Sequence, residues 1–152
     1  MATLQVEIQP AMRRTGQRAG YGVAILVNLV ILVIVQNVLD WGWPAFLTPE
    51  FADVVPWITF SLVASVLANT IYLVNRHPDV KSVGQIGLNL IGLFVTYGVW
   101  LVFPFDFSSY GFDWTRVTNA VLILAMVGSG AGVLAESVKA AKRHIDTKGD
   151  SR

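Results

Sequence analysis

Four of the polar residues within the mainly apolar stretches of this chain carry an amide or hydroxyl group that could meet a solute or another helix: Asn28, Asn69, Asn89 and Ser129. All four lie at a similar distance from the same end of their stretches, so they could share one layer. In a membrane, such a layer would form a polar site or part of a permeation path. The alternative is that these groups only join helices through hydrogen bonds.

Glu136 is the only acid inside any of the apolar stretches, and it lies one turn after Gly132. An intramembrane carboxylate is a functional candidate by default. The alternative is ordinary surface chemistry, because Lys139 follows three residues later and such pairs are common on exposed helix faces. We therefore treat Glu136 as a candidate functional acid at the cytoplasmic border of its stretch.

Other reactive groups are scarce. The chain has no cysteine, which excludes thiolate nucleophiles, disulfides and cysteine metal sites. His77 and His144 lie outside the apolar stretches, so paired intramembrane haem ligands are not expected. We find no glycine-rich phosphate loop, nucleophile elbow or metalloprotease motif. The sequence therefore predicts no catalytic residue, no metal, no cofactor and no enzymatic activity.

Acidic residues collect in two segments between the apolar stretches. They are Asp40, Glu50, Asp53, Asp106 and Asp113, against the single base Arg116. Carboxylates there could bind a divalent cation, or Asp106 and Asp113 could serve a lipid-modifying enzyme. The alternative, which we favour, is that basic residues are sorted to the opposite side of the membrane, which leaves the side with these two segments acidic.

Small residues recur at helical spacing in two of the apolar stretches. The earlier stripe includes Ser61, Ala64, Ser65 and Ala68, and the later one includes Ala125, Gly128 and Gly132. Helices in lipid associate by close packing of small residues. We therefore expect both stripes to be helix-packing surfaces.

The composition explains why these stretches should be membrane spans. The chain is 54% hydrophobic and only 14% charged, whereas soluble domains carry about 25% charged residues. The apolar stretches cover residues 21–39, 57–74, 83–103 and 117–138, each close to the ~20 residues that cross a bilayer as a helix. We predict an all-α membrane protein with a transmembrane domain over residues 20–139, an N-terminal tail at 1–19 and a basic C-terminal tail at 140–152.

The distribution of charge predicts the topology. Of the 11 Lys and Arg residues, all except Arg116 lie in the N-terminal tail, in the segment at 75–82 or from Lys139 onward. The positive-inside rule then places both termini in the cytoplasm, with the basic C-terminal extension near anionic lipid headgroups. The net charge of +1 argues against nucleic-acid binding.

Local signals refine the boundaries of the spans. Thr48-Pro49-Glu50 resembles a helix start, so we expect a short interfacial helix at residues 49–55 that ends before Pro56. Ser82 with Gln85 has the spacing of a capping box and should begin the third span.

An internal repeat is suggested by comparing the chain with itself at an offset of 61 residues. The offset aligns Asn28 with Asn89, Phe46 with Phe107 and Ala64 with Ala125 without a gap. Two apolar hairpins also show such matches by composition alone. A genuine repeat would give two tandem hairpins of one orientation, related by an axis along the membrane normal.

Three functions remain open at this point. We favour a non-enzymatic accessory or assembly component of a bacterial plasma membrane, because the spans carry packing residues but no deep charge. The second is a homo-oligomeric channel or small transporter with a polar inner-leaflet path. The third is the lipid-modifying enzyme. The partners expected are the bilayer and either further copies of the chain or another membrane protein.

Overall fold

The computed structural model describes the backbone of residues 2–75 and 77–149, and within them all side chains except those of residues 2–15, 17, 144 and 146–149. It contains four α-helices: α1 (Ala2–Asn37), α2 (Phe51–Val74), α3 (Pro78–Val102) and α4 (Trp114–Gly149). Each is long and apolar enough to cross a membrane. The predicted all-α architecture with four spans is therefore confirmed. Arg13, Arg14, Arg76, Lys148 and Arg152, which entered the charge count, have side chains outside the described part.

The helices pack in chain order as an open row. α1 packs on α2, α2 on α3 and α3 on α4. Among the described residues, no Cα atom of α1 comes within 8 Å of α3 or α4, and none of α2 comes within 8 Å of α4. The two edge helices, α1 and α4, thus pack closely on one neighbour each. The Lys81 ammonium of α3 also lies over the Tyr21 ring of α1, 5.6 Å from its centroid.

The row has two distinct ends. The loop end carries the loops at residues 38–50 and 103–113, and the terminal end carries the start of α1, the junction of α2 with α3 and the end of α4. A small buried cluster of Val38, Phe51 and Val54 lies at the loop end. Along the helices large apolar side chains are exposed, as at Leu26 (62%) and Leu124 (68%). Such continuous apolar surface is rare on soluble proteins and suits contact with lipid.

The expected interfacial helix at residues 49–55 is not a separate element. Backbone bonds from Phe51 N–H to the Thr48 carbonyl and from Ala52 N–H to the Pro49 carbonyl wind the chain directly into α2. α2 then continues through Pro56. A proline this close to a helix start removes a single backbone bond, so it need not end the helix.

The predicted capping box at Ser82 is also wrong. α3 begins four residues earlier at Pro78, which occupies the first helical position after the N-cap residue His77. Proline fits this position because its missing N–H would have no partner there. Ser82 consequently lies inside the helix, where it is buried.

The two tails are helical over most of their length. α1 begins at Ala2, so the predicted N-terminal tail continues the first span as one helix. α4 runs to Gly149, so it continues the fourth span into the basic C-terminal extension.

The loops of the two hairpins meet at the loop end. The N–H of Thr48 donates to the Pro104 carbonyl (3.2 Å), and the N–H of Asp106 donates to the Phe46 carbonyl (2.8 Å). Phe46 and Phe107, which the offset of 61 aligns, are in ring contact at 5.3 Å. A two-fold axis relating the hairpins would require α4 to contact α1 wherever α2 contacts α3. Since the described residues make no such contact, the hairpins are not related by a closed two-fold axis.

Candidate functional site

Two of the predicted polar residues bond within their own helices. Asn28 donates its side-chain amide to the Ala24 carbonyl at 2.7 Å. Asn69 donates to the Ser65 carbonyl at 2.7 Å and lies 3.4 Å from the Ser65 hydroxyl. An amide bonded to the carbonyl four residues earlier satisfies its donor without a neighbouring helix.

The other two lie at the interface of α3 and α4. A Cβ atom placed on Gly132 would lie 2.6 Å from the Asn89 amide nitrogen, so the glycine lets that amide approach α4. A Cβ atom on Gly92 would lie 3.7 Å from the Ser129 hydroxyl. The structure therefore brings Asn89 and Ser129 to one interface. Asn28, on α1, is separated from it because, among the described residues, no Cα atom of α1 comes within 8 Å of α3 or α4.

The two small-residue stripes differ in how far they are buried within the single chain. Along α2, Ser61, Ala64, Ser65 and Ala68 are half-buried. On α4, Gly132 faces Asn89, whereas Ala125 is exposed and a Cβ on Gly128 would meet nothing within 4 Å. Packing through Ala125 and Gly128 stays a prediction that requires a further chain.

Glu136 belongs to a polar cluster that joins α3 to α4 at the terminal end. Its carboxylate accepts hydrogen bonds from the Ser82 hydroxyl (3.0 Å) and from the Lys139 ammonium (2.7 Å). Arg143 donates to the Ser82 hydroxyl, and its Nε lies 3.8 Å from an Asp79 oxygen. We call Asp79, Ser82, Glu136, Lys139 and Arg143 the terminal-end cluster.

The terminal-end cluster is balanced in charge and shielded in its centre. Two carboxylates face two cations, the Glu136 side chain is 14% exposed, and Ser82 is 4% exposed. With both oxygens of Glu136 accepting bonds, the cluster is arranged to hold α3 against α4.

The sequence predicted the Glu136–Lys139 pair of this cluster but not the participation of Asp79, Ser82 and Arg143. One signal was available, since Arg143 lies seven residues after Glu136 and so on the same helical face.

Tyr72 fixes the contact between α2 and α3 nearby. The side chain is buried, and its hydroxyl donates to the Lys81 carbonyl at 3.4 Å. Tyr21 of α1 packs on the Tyr72 ring at 5.7 Å. The approach is possible because residue 84 is glycine: a Cβ there would lie 2.9 Å from the Tyr72 Cζ atom.

The loop end forms a second candidate site, an open cavity of about 590 Å³. Its walls come from the loop after α3 and the first turn of α4. Phe105 and Phe107 stack at 6.0 Å and 14°, and Tyr110 meets Phe107 edge-on at 6.2 Å and 71°. We call this cavity the loop-end pocket.

Two carboxylates of the loop-end pocket have local partners. The backbone N–H and the hydroxyl of Ser108 bond Asp106 and lower the pKa of its carboxyl below the ordinary value. Asp106 is therefore ionised at neutral pH. Asp113 accepts the Arg116 N–H at 3.1 Å, as an N-cap of α4, and pairs with the Arg116 guanidinium at 2.9 Å.

Among the described residues, no group of three or more His, Asp or Glu side chains converges as a metal site would require. No protein-family model matches the chain, and no curated protein or solved structure is significantly similar to it. The functional argument therefore rests on the arrangement of this chain's own residues.

Proposed function

We propose that this protein is a non-enzymatic accessory or assembly component of a bacterial plasma membrane, with both termini in the cytoplasm. The observation that supports it is the open row, in which α1 and α4 each pack on one neighbour. Each edge helix carries an exposed face. That of α1 is large and apolar, as at Leu26 and Val30, and that of α4 includes Gly128. Such faces suit docking against another membrane helix by close packing.

The orientation rests on the charge asymmetry. In the sequence, ten Lys and Arg residues belong to the N-terminal segment, to residues 75–82 and to the segment from Lys139 onward, against the single Arg116 between α3 and α4. The positive-inside rule places these basic segments in the cytoplasm. Exposed Lys139 and Lys142 would then lie near anionic lipid headgroups, each attracted by about 1 kcal/mol.

The chain has no native cysteine, so single cysteines report the orientation cleanly. Ser109→Cys at the loop end should react with a membrane-impermeant maleimide in intact spheroplasts. Ala141→Cys, exposed on α4, should react only after permeabilisation. The reverse pattern would invert the topology, and labelling of both sites in intact cells would contradict a fixed orientation.

A homo-oligomeric channel or small transporter is the alternative. It is less well supported, because the amides of Asn28 and Asn69 bond within their own helices. An open row also needs further copies to complete the wall of any path. The predicted polar layer of Asn28, Asn69, Asn89 and Ser129 would then line a pore only in the oligomer.

Purification of the tagged protein from its native membranes in mild detergent, followed by mass spectrometry, distinguishes the two. We expect a second membrane protein in stoichiometric amount, because the edge helices of a single chain are uncovered. A homo-oligomer without any other protein would contradict the accessory role and support the channel. The control is an unrelated four-span protein carrying the same tag.

A further inference from the structure

The loop-end pocket has the size of a small-molecule site. Its volume of about 590 Å³ lies within the ~300–1,000 Å³ typical of such sites. The walls combine aromatic rings with carboxylates, including Phe105, Phe107, Tyr110, Asp106 and Asp113. This composition restricts the class of ligand.

The rings stand at differing angles around the cavity. Phe103 meets Phe105 edge-on at 82°, Phe105 stacks on Phe107, and Tyr110 meets Phe107 at 71°. Aromatic rings that line an open cavity can bind quaternary ammonium groups by cation–π attraction.

The electrostatics of the loop end also favour a cation. Five acids lie in its segments against Arg116 alone, a formal charge of −4. Arg116 is engaged with Asp113, and among the described residues no Lys or Arg side chain lines the cavity. Since Asp113 is paired with Arg116, Asp106 is the ionised carboxylate of the wall that can balance a bound cation. Ser108 bonds this carboxylate.

An organic cation fits these walls better than a metal ion does. Divalent metals need several converging oxygen ligands, and the described residues hold no such group. A large cation with a weakly bound hydration shell instead gains from aromatic surface.

We propose that the loop-end pocket binds a quaternary or methylated ammonium group, held by the rings of Phe105, Phe107 and Tyr110 and balanced by Asp106. The group can belong to a free small molecule such as choline or to the headgroup of a choline lipid. The site is independent of the accessory role proposed above.

Isothermal titration of the full chain in maltoside micelles with choline tests this site. Saturable binding is expected, and it should be clearly tighter than binding of 3,3-dimethylbutan-1-ol, the uncharged analogue of the same shape. Phe107→Leu should weaken choline binding about two- to fivefold, the range for an exposed cation–π contact. Phe107→Trp keeps a ring and should retain binding, which separates loss of the ring from misfolding.

The matched pair for charge is Asp106→Asn and Asp53→Asn. Asp53 is an exposed acid at the same end that does not line the cavity, so only Asp106→Asn should weaken binding.

Nanodiscs identify the source of the ligand. Phosphatidylcholine discs should block the binding of added choline if the lipid headgroup occupies the pocket, whereas phosphatidylglycerol discs should not. Equal binding of choline in both disc types assigns the pocket to a free ligand. Absence of saturable binding, equal affinity for the uncharged analogue, or equal effects of the two Asp variants would overturn the proposal.

Discussion

Glu136→Gln should lower the free energy of unfolding by about 1–3 kcal/mol, the range for removing one member of a shielded, hydrogen-bonded charge pair. The carboxylate accepts bonds from Ser82 of α3 and Lys139 of α4. Glutamine keeps the size of the side chain but provides one acceptor and no charge. The cations of Lys139 and Arg143 would then face Asp79 alone. Unfolding in mixed micelles of increasing dodecyl sulfate content, followed by circular dichroism, measures the change.

The matched control is Glu50→Gln. Glu50 is an exposed acid at the loop end, where its carboxylate bonds Thr48 and its own backbone and so bridges no helices. A change below about 0.5 kcal/mol is expected there, as for most surface substitutions. A double-mutant cycle with Ser82→Ala should show coupling to Glu136. Equal effects of the two glutamine variants, or no coupling to Ser82, would show that the terminal-end cluster does not hold α3 to α4.

Gly84→Ala should destabilise the fold by about 1–3 kcal/mol, the usual cost of overpacking. The new methyl group would lie 2.9 Å from the Tyr72 Cζ atom and in contact with its hydroxyl. Tyr72 has little room to move, since it is buried, packed on Tyr21 and hydrogen-bonded to Lys81. The same unfolding assay in mixed micelles measures the loss.

Gly87→Ala provides the comparison within the same helix. A Cβ atom there would meet nothing within 4 Å, so the higher helix propensity of alanine should leave stability unchanged or raise it by about 0.5–1 kcal/mol. If both alanine variants were equally stable, the close packing of Tyr72 on Gly84 would be wrong.

The spans were predictable because their determinants are local. Length and hydropathy identify a membrane helix without knowledge of its neighbours. Helix starts were less reliable. Ser82 and Gln85 have the spacing of a cap, yet Pro78 begins α3 one turn earlier.

The candidate sites depended on partners that the sequence does not reveal. Ser82 bonds Glu136 across 54 positions of the chain, and no local pattern encodes that contact. An asparagine in an apolar stretch can bond to its own helix or to another one. Asn28 bonds to its own helix, while Asn89 approaches Gly132 of α4. The loop-end pocket likewise needs the folded loop after α3.

We expect the open edge of α1 to be covered by another membrane protein. A diazirine-bearing amino acid at Val30, which is 51% exposed, tests it by photo-cross-linking in the native membrane. The control is the same probe at Val35, which packs against the buried cluster at the loop end and should link within the chain. We predict one adduct of defined mass from position 30, containing a peptide of a second protein. A link from position 30 to α4 of the same chain would show a closed bundle. Links to lipid alone would show an uncovered edge. Either result would contradict the covering of α1 by another membrane protein.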